Sequence, residues 1–122
     1  MKNFKNEAAQ GELHVERVDS LPDGVELRDG ERDNNGDWIV GHSESGHHHV
    51  VEARLARLLE NPRDPDTCYL VCEADSPYFE LVHRKPHSED DPAHAPLRSE
   101  PGIFRVTRQS EVINRQRRRV MD

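Results

Sequence analysis

The sequence predicts a mainly β fold: a small single domain, β-barrel or sandwich, with one short helix. Three observations predict it. Short segments alternate apolar and polar residues, or run in Val, Ile, Leu and aromatics, at five or six places along the chain. Turn signals such as Pro22-Asp23-Gly24, Asp29-Gly30 and Asn35-Gly36 punctuate them. A single stretch keeps helical spacing. The chain has 122 residues, 33% of them hydrophobic and 34% charged, with a mean hydropathy of −0.97. That is room for one core, and a lean one, so a metal site or an oligomer interface would be a natural supplement.

Taken in order, residues 1–10 are polar and without pattern, and are read as a flexible N-terminal segment ahead of a β domain over 11–110. Leu13, Val15, Arg17 and Val18 predict a strand that ends in the Pro22-Asp23-Gly24 turn. "RDGERDNNGD" (28–37) is a loop or a hairpin tip. "DWIVG" and "HHHVVEA" are short strands separated by the turn "HSESG". In "ARLARLLENPRDPD", Leu55, Leu58 and Leu59 keep helical spacing over about two turns until Pro62 and Pro65, which predicts the short helix. "TCYLVCEA" and "YFELVH" are strands divided by Ser76-Pro77. "RKPHSEDDPAHAP" should be a mobile loop, and "GIFRVTRQSEV" a half-buried strand. Residues 111–122 form a basic tail.

The net charge of −7 is unevenly spread. Residues 1–104 hold 11 Lys/Arg against 22 Asp/Glu, a balance of −11, whereas residues 105–122 hold six Arg against Glu111 and Asp122, a balance of +4. Arg115, Arg117, Arg118 and Arg119 could meet phosphates, but no aromatic follows Phe104 to stack on bases. The favoured reading pairs this tail with the acidic body, in the same chain or a neighbouring copy. Nucleic acid is the alternative partner. No apolar run of 18 residues and no secretory h-region are present, so no membrane span or export is expected. Cys68 and Cys72, on one face of a strand, would have Cα atoms ~13 Å apart, too far to bridge. They read as buried or half-buried thiols in a reducing, cytoplasmic setting, or in a virion if the chain is of phage origin.

The histidines carry the chemistry. Four of the eight fall between His42 and His49, at the mouth of Val50-Val51. On a strand, His47 and His49 share a face with Cα atoms ~7 Å apart, and His48 takes the other. Two imidazoles so spaced can converge on one zinc, iron, copper or nickel ion, which needs further ligands from elsewhere. His83, closing "YFELVH", and His94, in "AHAPL", are the expected partners, with His42, Glu44 and His87 as second choices. The alternative is a set of solvated loop histidines, or a cluster that charges near pH ~6 at an interface. Glu44, Glu52 or Glu80 would serve as general base if the metal supported a reaction, but their spacing singles out none. Ser43 and Ser45 lack a nucleophile-elbow pattern. Whether the protein is an enzyme stays open.

"GHSESGHHHVV", "VHRKPHSEDDPAHAPL" and "FRVTRQSEV", in that order, resemble a motif set of small, His-rich bacterial and phage-encoded proteins. The resemblance spans most of Gly11–Val120 and implies an origin rather than an activity. A fainter likeness is to cupins, whose first motif opens as Gly41 through His49 does; it implies a metal in a β-barrel. Two functions are therefore expected from different classes. One is a metal-binding β domain holding one divalent transition metal at His47, His49, His83 and His94. The other is a phage structural or accessory protein that decorates a particle or contacts an assembly, working as a homo-oligomer or within a larger complex.

Overall fold

The computed structural model describes residues 1–42, 48–84 and 95–109. Eleven strands form among them: β1 (Lys2–Asn3), β2 (Glu7–Gln10), β3 (Leu13–Val18), β4 (Arg28–Asp29), β5 (Trp38–Gly41), β6 (His49–Val51), β7 (Arg57–Asn61), β8 (Asp64–Cys72), β9 (Phe79–His83), β10 (Leu97–Ser99) and β11 (Gly102–Arg108). They make two sheets, ordered β1-β10-β9-β6-β5 and β2-β3-β11-β8-β7-β4. Neither closes into a barrel, so of the two expected architectures the sandwich is the one formed.

Alternation along the strands explains the layering. On β8, Cys68, Leu70 and Cys72 are buried while Tyr69 and Val71 stay half-exposed; successive side chains of a strand point to opposite faces. Leu13 and Val15 of β3 and Phe104 and Val106 of β11 do the same, and all of these meet Trp38, Val40, Val51, Phe79, Leu81 and Leu97 of the other sheet. Phe79 and Phe104 stack across the interface with ring centroids 4.2 Å apart, and Phe4 meets both edge-on. Such aromatic pairs are worth about 0.5–1.5 kcal/mol beyond the area they bury. Burial also pushes the Cys68 thiol up to about 12 and raises that of Cys72. Both cysteines are free.

The lean apolar core is supplemented by polar side chains that cross between the sheets. From β3, Arg17 donates to Ser99 Oγ (2.8 Å) on β10 and to the carbonyls of Glu100 (2.9 Å) and Pro101 (2.9 Å) at the corner where the chain changes sheets. Its guanidinium comes so close to Gly102 that a Cβ there would lie 2.1 Å from Nη1, so a larger residue at the corner would displace the Arg17 head from its partners. From β11, Arg108 donates to Val40 O on β5 (2.6 Å) and Pro65 O (3.0 Å), and pairs with Glu60. From β2, the buried Gln10 reaches β9.

Two expectations are corrected. No helix forms among the described residues. Leu55 belongs to a turn, and Arg57–Asn61 is β7, in which Leu58 faces the core and Leu59 the outside; Pro62 and Arg63 then make the turn into β8. A turn followed by a strand places three leucines at spacings that imitate a helical stripe. Residues 1–10, expected as a flexible segment outside the domain, supply β1, which pairs in parallel with β10, and β2, which pairs with β3. The span 28–37, expected as a loop or a hairpin tip, opens with β4 and then forms a tip: Arg32 bridges Trp38, and Asp33 Oδ1 accepts from the backbone of Asn35 and Asp37.

Candidate functional site

β6 and β9 are antiparallel neighbours in a register that sets His49 directly opposite His83. Both occupy inward positions, in step with Val51 and Leu81, and the two imidazole centroids lie 4.4 Å apart with planes 39° to one another. His49 is 7% exposed, and the Nδ1 of His83 is shielded from solvent. Space for the His49 ring is left by Gly41 on the neighbouring strand, where a Cβ would stand 3.2 Å from His49 Cδ2 and 3.1 Å from Leu13 Cδ2. The expected split of the histidine run holds where it is described. His48 lies on the opposite side, its ring 5.0 Å from that of His42, whose Nε2 is 3.0 Å from Glu31 Oε2.

Gln10 orients His49. Its Nε2 donates to Leu81 O (3.0 Å) and Ala95 O (2.9 Å), using both amide protons. Its Oε1 is therefore the atom that faces His49 Nδ1, at 2.8 Å, and that nitrogen must carry the proton. In the neutral ring Nε2 then holds the lone pair. A histidine that gives one N–H to an oxygen acceptor while its other nitrogen keeps the lone pair is in the state of a metal ligand, in which the outer partner fixes both tautomer and ring orientation. Sequence reasoning missed Gln10; the one available signal was the Ala8/Gln10 alternation with Glu7 and Ala9.

Of the four expected ligands, the structure thus brings His49 and His83 together, while His47 and His94 lie outside the described residues. So do Glu44, His87, Ser43, Ser45 and the tail arginines Arg115, Arg117, Arg118 and Arg119. Among the described residues no group of three or more His, Cys, Asp or Glu is arranged to hold a metal ion. Two of the carboxylates considered as bases are engaged elsewhere. Glu80 points to the outer face of β9, where Arg98 Nη2 donates to it at 2.8 Å, and Glu52 pairs with Arg54. Cys68 and Cys72 are core residues of β8, as burial predicts.

His49 also lines a cleft of about 600 Å³ whose walls include Leu13, Ile39, Pro62 and Pro65, together with the pairs Glu31–His42 and Glu60–Arg108. Charged groups of both signs over apolar walls suit a polar or charged ligand better than an apolar one.

No curated protein and no solved structure matches the chain, and no family match supports the cupin likeness. The model of one family does match, over residues 9–109, and by that match the chain belongs to the family described as "Domain of unknown function (DUF8820)".

Proposed function

We propose that this domain binds one divalent transition metal, with His49 and His83 as two of its ligands and a structural role for the ion. The observation that carries the reading is the inward His49–His83 pair with His49 Nδ1 anchored on Gln10. Two imidazoles that share one tetrahedral zinc through ~2.1 Å bonds have ring centroids about 5 Å apart, so a separation of 4.4 Å asks for only a small adjustment. His47 and His94 are the residues from which the set would be completed. Each adjoins a described neighbour of the pair: His48, next to His49, and Ala95, whose carbonyl takes a Gln10 proton. Bound there, the ion would strengthen a domain whose apolar core is small. The finer likeness to His-rich bacterial and phage proteins is compatible with this role. A non-catalytic assembly protein is the competing reading, favoured by the opposite charges of body and tail.

The test is elemental mass spectrometry on untagged protein purified without an immobilised-metal column, with melts in the presence and absence of chelator. About one metal per chain is expected, lost in the His49→Gln/His83→Gln double variant, with a lower melting temperature in chelator. Metal-free protein whose melt ignores both the chelator and added zinc would overturn the proposal.

A further inference from the structure

The cleft beside His49 opens where the described chain ends. Arg108 and Gln109 both line it, and the Gln109 amide donates to Glu12 O at 3.1 Å, so the described residues end at the cleft wall. The lining carries five carboxylates, Glu12, Asp29, Glu31, Glu60 and Asp66, against the guanidinium groups of Arg28 and Arg108. Glu60 is matched by Arg108, Asp29 by Arg57 and Glu31 by His42. Glu12 and Asp66 have no ion pair among the described residues. Five carboxylates against Arg28, Arg108 and the Asp29 partner Arg57 leave a surplus of two negative charges over walls that include Leu13, Ile39, Pro62 and Pro65. A long cationic side chain suits such a surface, because its methylene stem covers apolar atoms while its head meets a carboxylate.

Carboxylates alone do not select a ligand; here the path of the chain does. Residues 110–122 come next in sequence after Gln109 and hold Arg115, Arg117, Arg118 and Arg119 against only Glu111 and Asp122. The six residues from Gln109 to Arg115 span up to about 20 Å when extended, so reach does not limit the contact. A tethered segment faces its site at an effective concentration of ~mM, against which a free cationic ligand must compete.

We propose that this cleft is the seat of the chain's own basic segment, with guanidinium groups from Arg115–Arg119 meeting Glu12 and Asp66. The proposal goes beyond the metal reading and stands whether or not the histidine pair carries an ion. It gives a place to the charge asymmetry between body and tail.

The experiment places a nitroxide on the Arg118→Cys variant of the full chain, with Cys68 and Cys72 protected by burial, and reads amide broadening across the folded domain. At low salt the amides of Gly41, Asn61 and Asp66 should lose intensity several-fold. They should recover at about 1 M salt, where the screening length falls to ~3 Å. The Glu12→Lys/Asp66→Lys variant should also restore them, as should Arg115→Glu/Arg117→Glu/Arg119→Glu, which changes none of the cleft residues. Broadening that is absent from the cleft, or that survives both charge reversals, overturns the proposal. Broadening that persists when the nitroxide and the isotope sit on different chains also overturns it, because the occupant is then a second copy.

Discussion

Replacing Gln10 by leucine tests the central polar contact of the domain. The side chain is fully buried, and its amide makes three hydrogen bonds, to Leu81 O, Ala95 O and His49 Nδ1. Leucine keeps the approximate volume and removes all three. A buried polar group left without its partner costs about 1–3 kcal/mol, and a buried leucine returns roughly 1.5–3 kcal/mol of transfer energy. Taken at mid-range, three orphaned groups less that gain leave a net loss of about 4 kcal/mol, a large share of the ~5–15 kcal/mol that holds a typical domain together. Urea unfolding followed by the fluorescence of Trp38, the single tryptophan and 4% exposed, reads the change directly. The midpoint should fall with an unchanged slope, and the melting temperature should drop by roughly 10–20 °C. Gln10→Glu should not rescue the loss, since it returns an acceptor to His49 but turns an oxygen toward two carbonyls. If the histidine pair holds a metal, Gln10→Leu should also weaken its binding by about 10–100-fold. A stability loss below about 1 kcal/mol would refute the argument that this amide holds the two sheets in place.

Two other outcomes follow from groups whose protonation the fold displaces. Because burial holds the Cys68 thiol up at about 12 and also raises that of Cys72, iodoacetamide at pH ~8 should leave both unmodified in the folded protein and alkylate both in urea. Rapid native-state modification of Cys68, read by intact mass, would contradict this. The Asp37 carboxyl lies above its ordinary 3.8, first because burial disfavours its charge; Arg84 pulls it down, and Asp33 and Glu52 push it up. The unfolded chain therefore gives up this proton before the native one does. From this group, stability is greatest in acid and falls as pH rises from 3.8 through the raised native value. Arg84→Met should raise the Asp37 value further and deepen the loss at neutral pH. An NMR titration of the Asp37 carboxyl that does not move in the variant would refute the assignment.

The strands that were legible in the sequence are those whose local pattern and long-range role agree. "TCYLVCEA", "YFELVH" and "GIFRVTR" alternate because each has one face in the core, and β8, β9 and β11 follow that pattern. The helix expected around Leu55–Leu59 failed because Leu59 lies on the outer face opposite Tyr69, so its apolar character serves cross-strand packing rather than the core. β2 was missed because its buried Gln10 is satisfied by partners 71 and 85 residues away, and no local pattern announces a polar residue that distant carbonyls make fit for burial. The His49–His83 pair was half legible. Histidine at the mouth of one strand and the end of another suggested a meeting, but only the register of β6 against β9 sets them opposite.

Gln10, Arg17 and Arg108 all reach from the six-stranded sheet to the five-stranded one. Apolar contact is non-directional, so two sheets faced with Val, Leu and Phe can slide by a residue pair at little loss. An amide or a guanidinium cannot slide: a displacement of a few ångströms leaves its donors facing nothing. Among the described residues, the choice among alignments thus rests on directional contacts such as these three, while the apolar ones supply most of the cohesion. The aliphatic core positions are accordingly free to exchange residues of similar volume as the sequence drifts. The three polar positions are not, although they add almost nothing to the hydrophobic content by which a core is usually recognised.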